Sequence, residues 1–174
     1  MLLQQAGYGG KTLHLSYKTS KDPFRVRLAT IIQAQLQNVG IELKIESHDW
    51  GTFFADIKAG KFQLYSLSWV GIRTPDIYNH VFHSQSLPPK GANRGRFNDA
   101  TIDQLLDSAL QSQTIEEKRN YYSEVQQRVI EQLPYIPLWY EDHIAIINNK
   151  LDGYQLNRSG DYDSLAQVHW KKQG

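Results

Sequence analysis

Three groups of residues in this chain have types and spacings that could do chemistry. His80-x-x-His83 sets two imidazoles on one helical face, as transition metals like, but no third ligand accompanies them in the neighbouring sequence. His48-Asp49 supplies two members of a hydrolytic triad, yet no serine sits in a nucleophile-elbow motif. Gly7-Tyr8-Gly9-Gly10-Lys11 is glycine-rich next to a lysine, but it lacks both P-loop spacing and the strand that must precede a phosphate cradle. The chain has no cysteine, which removes thiol catalysis, disulfides and thiolate metal sites together and leaves the redox compartment undetermined. The expectation is a protein with no catalytic residue, no metal and no cofactor.

The elements that would position a binding site are legible between Leu13 and Trp69. Leu13-His14-Leu15-Ser16-Tyr17 and Ile41-Glu42-Leu43-Lys44-Ile45 alternate apolar with polar, the period of a strand with one better-buried face, and Phe62 to Trp69 reads as a third strand. Between the first two, Phe24, Leu28, Ile31, Ile32, Leu36 and Val39 recur at helical spacing, with Asp22 as N-cap, Pro23 at the first position and Gly40 past the end. Trp50 to Lys61 predicts a shorter helix with Phe53, Phe54 and Ile57 inward. Two βαβ crossovers make an α/β fold with a small, mainly parallel sheet flanked by helices. Such sheets bind ligands beyond their strand C-termini, here Tyr17-Lys18-Thr19, Ser47-His48-Asp49 and Trp69-Val70-Gly71-Ile72.

Composition bounds the rest. The 174 residues suffice for a core of ordinary size. With 19 basic and 18 acidic residues and no basic run, nothing suggests nucleic acid or an anionic membrane as partner. No window reaches the roughly 18 to 20 apolar residues of a membrane span, and the first residues lack the charged region and apolar core of a signal peptide.

After Trp69 the character changes. Pro75 to Gly95, with three prolines and Gly91-Ala92-Asn93-Arg94-Gly95, predicts a long surface loop with a short helix around Asp76 to His83. Two helices follow: Thr101 to Gln111, with Ile102, Leu105, Leu106, Ala109 and Leu110 inward, and Ile115 to Leu133, opened by the capping box Thr114-x-x-Glu117, with Tyr122, Val125, Val129, Ile130 and Leu133 as its stripe. Beyond Pro134 come extended segments at Ile136–Tyr140 and Ile144–Ile147, then a weakly patterned tail.

Taken in order, several pieces resemble one family. They are Leu2-Leu3-x-x-Ala6-Gly7-Tyr8, Leu36-x-x-x-Gly40-Ile41, Trp50-x-x-Phe53, Gly60-x-Phe62-x-Leu64 running into Trp69, the Pro75-Asp76 loop, and Pro134-x-Ile136-Pro137-Leu138-Trp139-Tyr140. The chain resembles the C-terminal portion of a bacterial solute-binding protein of the peptide and nickel class, the extracytoplasmic receptor of an ABC importer. The resemblance implies a periplasmic-binding-protein-like lobe over residues 1–150 and a tail, 151–174, that would cross the hinge to an N-terminal lobe. It also implies a peptide or other small solute as ligand, membrane permease subunits as partners, and a periplasmic or extracytoplasmic parent protein. Leu2-Leu3-x-x-Ala6-Gly7 looks like the end of a helix whose beginning lies upstream. A stand-alone interaction or regulatory module with the same fold is the alternative.

In such proteins the segment after the matching tryptophan runs along an extended peptide and holds it by backbone hydrogen bonds. The resemblance therefore places the ligand at Trp69, Val70, Gly71 and Ile72, with Arg73 and Asp76 as the charged candidates. The family pattern has an aspartate three residues after the tryptophan, which pairs with the peptide's α-ammonium; this chain has Ile72 there. An ammonium buried without a carboxylate costs several kcal/mol, so a free peptide N-terminus at Ile72 is not expected. Asp76 is the nearest replacement or, equally, a helix N-cap. Arg73 is either an anchor for a ligand carboxylate or phosphate or a solvated loop arginine.

Overall fold

The computed structural model describes residues 2–171, which form two compact units. One comprises residues up to 67 together with 80–100; the other comprises 68–79 and the residues from 101 onward.

The first unit is built on a parallel sheet. Strands β1 (Leu13–Ser20), β2 (Ile41–His48) and β3 (Leu64–Tyr65) lie in the order β2-β1-β3, with β1 and β2 paired from Leu13↔Ile41 to Ser20↔His48. A brief helix α1, Leu2–Gln5, precedes them. Helix α2 (Pro23–Gln37) connects β1 to β2. Its start follows from local chemistry: the Asp22 carboxylate accepts the Arg25 N–H at 3.0 Å and Pro23 presets the first turn. Helix α3 (Trp50–Ala59) connects β2 to β3, capped by Asp49 and closed by Gly60 in the left-handed conformation, φ 75°.

Tyr17, Ala29 and Leu43 form a buried cluster with Leu15, Ile32, Leu36, Ile45 and Leu64 packed against it, while Phe53 and Ile57 of α3 are fully buried. The seating of α2 differs from its periodicity. Its fully buried residue is Ala29, and Phe24, Ile31 and Val39, expected inward, are at least half exposed. A small residue lets the helix axis approach the sheet, which turns the bulkier neighbours outward. Phe54 also lies outside the core: it stacks on the exposed Trp50 at 5.5 Å, with Arg94 and Lys58 over its own ring.

Strand β3 is shorter than the expected Phe62–Trp69. Its ladder ends at Lys18↔Tyr65, because the groups of Ser66 go elsewhere: its hydroxyl receives the Tyr17 phenol at 2.6 Å and its carbonyl receives Arg25 at 3.3 Å. The expected surface loop through Gly95 is partly interior. Asn93 and Ala92 are buried, and the Asn93 amide donates to the carbonyls of His83 and Phe97 while its oxygen accepts the Phe97 N–H. A short helix, α4, spans Ile77–Phe82.

In the second unit, helices α5 (Ala100–Gln111) and α6 (Ile115–Gln132) bury Ile102, Leu106, Ala109, Tyr122 and Val125. The Thr114–Glu117 capping box is formed on both sides. Leu110, Ile130 and Leu133, expected inward, are exposed. Neither Ile136–Tyr140 nor Ile144–Ile147 is a strand, and Tyr140 and Ile146 are 102 % and 99 % exposed. An extended segment becomes a strand only with a ladder partner, and neither has one among the described residues. The tail contains the antiparallel pair β4 (Leu151–Asp152) and β5 (His169–Trp170), with a 3₁₀ turn at Asp163–Gln167. The end of the expected 151–174 tail lies outside the described residues.

Candidate ligand-binding segment

Residues 68–79 hold all six candidate site residues within the second unit. Trp69, Val70, Gly71 and Ile72 adopt no regular secondary structure, and their apolar side chains face outward: Trp69 is 36 %, Val70 78 % and Ile72 43 % exposed. Gly71 has φ +71°, a conformation in which any side chain is strained, and its N–H donates to the Ser159 carbonyl at 3.2 Å. The backbone groups of Val70 and Ile72 make no hydrogen bond among the described residues.

The two charged candidates are both engaged by the protein itself. Arg73 is clasped: its Nη2 donates to Asp161 Oδ2 at 3.0 Å and to Asp163 Oδ2 at 2.9 Å. Asp161, with a side chain 18 % exposed, is the hub of that clasp, also accepting from the Ser159 hydroxyl, the Asn157 amide and the Asp163 N–H. The Ser159 hydroxyl first, then Asn157 and the Asp163 N–H, with the Arg73 charge adding to them, hold the Asp161 carboxyl down at about 2. Asp76 accepts the Tyr122 phenol at 2.6 Å and the Thr74 hydroxyl at 3.1 Å. The Tyr122 bond is the main reason its carboxyl lies below the ordinary range, while burial and then Asp76 push Tyr122 well above its own. Asp76 does precede α4, but its recorded side-chain partners are hydroxyls rather than helix N–H groups.

The clasp has a pH signature. Because the folded-state value of Asp161 lies below the unfolded one, near 3.9, its contribution is fully present above pH 4 and is lost as pH falls toward 2. The Gly71 amide resonance should therefore shift and lose exchange protection with a midpoint near pH 2. In Asp161→Asn that transition should be absent; an unchanged profile would remove Asp161 from the clasp.

At the strand ends of the first unit Tyr17, Lys18 and Asp49, expected to line a crevice, have structural partners. Tyr17 bonds Ser66, Lys18 pairs with Asp56 at 2.9 Å, Thr19 is buried, and Asp49 caps α3 by accepting from Thr52. His48 Nε2 is buried without a hydrogen-bond partner among the described residues, and Asp49, bonded to Thr52, caps a helix. The His83 Nδ1 accepts the Gln85 N–H at 3.1 Å. Among the described residues no group of three or more His, Asp or Glu is placed to hold a metal ion, and no helix is long and apolar enough to cross a membrane. The partners that sequence reasoning missed are Tyr122, Asp161 and Asp163. Tyr122 was readable only as a buried helix residue, and nothing in Ser159-x-Asp161-x-Asp163 points to an arginine 88 residues upstream.

Residues 1–87 match the family described as bacterial extracellular solute-binding proteins, family 5 Middle. The periplasmic murein peptide-binding protein MppA of Escherichia coli is 27 % identical over 165 residues, covering 92 % of this chain and 30 % of that protein. Di/tripeptide-binding protein 4 of Pseudomonas aeruginosa is 29 % identical over 160 residues, 90 % of this chain and 30 % of its own length. Among solved structures, Burkholderia pseudomallei OppA superposes with a TM-score of 0.85 over 98 % of this chain and 34 % of that one; at 16 % identity this is a likeness of fold. The chain thus spans about 30 % of the length of the curated relatives it matches.

Proposed function

Because the chain belongs to the bacterial extracellular solute-binding proteins of family 5, we propose that it is part of the ligand-binding lobe of a two-lobed receptor that captures a peptide or related small solute. The parent protein works outside the cytoplasm, closes its lobes around the ligand and delivers it to the permease of an ABC importer, with no chemical step of its own. The observation that carries this reading is the segment Trp69–Ile72, where exposed apolar side chains flank a glycine at positive φ and the backbone groups of Val70 and Ile72 make no hydrogen bond among the described residues. An extended peptide recognised through main-chain hydrogen bonds needs such a segment, and main-chain capture tolerates many side chains. The peptide-binding names of the relatives support the same ligand class.

The reading is tested by calorimetric titration of the longer protein, carrying its upstream lobe, with pooled tri- to pentapeptides. Binding in the micromolar range is expected; no heat at millimolar peptide would overturn it.

A further inference from the structure

We propose that the outer face of α3, together with the 94–96 turn that packs on it, is a docking surface for an acidic segment of another protein. The proposal stands apart from the ligand-capture reading and does not depend on it. Charge is spread unevenly along the chain. The unit of residues 1–67 and 80–100 holds eleven Lys and Arg against six Asp and Glu, a net charge of +5, while the rest of the chain carries −4. Part of that excess is ordered along α3. The Arg25 guanidinium lies 5.8 Å from the centroid of the Trp50 ring, Trp50 stacks on Phe54 at 5.5 Å, and Lys58 and Arg94 lie over the Phe54 ring at 5.1 and 5.4 Å. At the far end of the helix the Arg96 Nη2 donates to the Ala59 carbonyl at 3.2 Å.

The six carboxylates of the same unit are used elsewhere. Asp22 and Asp49 cap α2 and α3, Asp56 pairs with Lys18, Glu42 faces His14, Glu46 pairs with Lys44, and Asp99 is buried. Arg25, Lys58 and Arg96 therefore make no ion pair among the described residues. Of the five N–H donors on each guanidinium, Arg25 spends one on the Ser66 carbonyl and Arg96 one on that of Ala59, so both keep donor edges for an incoming carboxylate. Rings beneath the cations hold them in place, which reduces the entropy lost when an anion binds. The ten residues of α3 span about 15 Å, the reach of about five extended residues of a partner. A surface that enters a membrane projects apolar side chains from a basic face. Here Phe54 lies under Lys58 and Arg94 and Trp50 lies against Phe54, so the rings brace cations, which favours a row of protein carboxylates over lipid.

The test uses the 174-residue chain and a capped octaglutamate peptide, followed by the Trp50 indole resonance and the backbone amides of α3. The peptide is expected to shift these resonances with a dissociation constant of about 0.1–1 mM, weakening as salt rises from about 50 to 200 mM. Lys58→Glu should weaken binding about fivefold or more, whereas Lys11→Glu, the same change of net charge at an exposed position before β1, should leave it unchanged. Lys58→Gln, which removes the charge without reversing it, should give an intermediate loss. Equal losses at Lys58 and Lys11 would mean attraction to net charge alone and would overturn the proposal. Shifts confined to other parts of the chain, or no shifts at all, would overturn it too. Vesicles containing phosphatidylglycerol are the rival probe: if they perturb the α3 resonances and the peptide does not, the face belongs to a lipid surface and the proposal fails.

Discussion

Phe53→Ala should lower the stability of the chain by about 3–5 kcal/mol, the range for removing a fully buried aromatic ring. Phe53 is 0 % exposed on α3, one turn from the equally buried Ile57. Removing its ring leaves a cavity that close-packed neighbours refill only in part. With domains stable by about 5–15 kcal/mol, the loss is a large share of the total, and the melting temperature should fall by about 10 °C. Phe54→Ala is the control. That ring sits outside the core between Trp50 and the cations of Lys58 and Arg94, so its removal should cost about 1 kcal/mol. Equal losses for the two, measured by chemical denaturation, would contradict this account of α3 packing.

The same helix shows why some of the fold was legible. Asp22-Pro23, Gly40, Thr114-x-x-Glu117 and the two alternating strands act within a few residues, so their chemistry is local and each formed where its pattern lies. Burial of a particular face is a different matter. Ala29 seats α2 while Phe24 and Ile31 turn outward, because the distance between helix and sheet, which periodicity does not contain, selects the small residue. The shortening of β3 has the same origin: Ser66 loses its ladder to Arg25, a residue 41 positions away. At the candidate site the apolar residues Trp69, Val70 and Ile72 are exposed. The charged residues Arg73 and Asp76 were legible as charges but not as occupied charges. Their partners, Asp161, Asp163 and Tyr122, lie 46 to 90 residues away, and no local pattern encodes a pairing at that separation.

The 174 residues by themselves should bind peptide at least a thousandfold more weakly than the longer protein, with millimolar affinity replacing micromolar. The argument is one of surface and solvent. A captured small molecule ordinarily has about 70–90 % of its surface buried, which a single exposed segment cannot provide. On the proposed reading Trp69, Val70 and Ile72 would cover one side of an extended ligand, and backbone bonds from Val70 and Ile72 would stay in contact with water, where each contributes only about 0.5–1.5 kcal/mol. Closing a second surface over the ligand removes that water, buries the opposite side and strengthens the same bonds by lowering the dielectric around them. The lost factor of a thousand corresponds to about 4 kcal/mol, comparable to a few such bonds and one apolar side chain. Paired titrations of the two proteins with the same peptide pool measure it directly. Micromolar binding by the 174 residues alone would mean that this unit carries a complete site, and the two-lobe mechanism would fall.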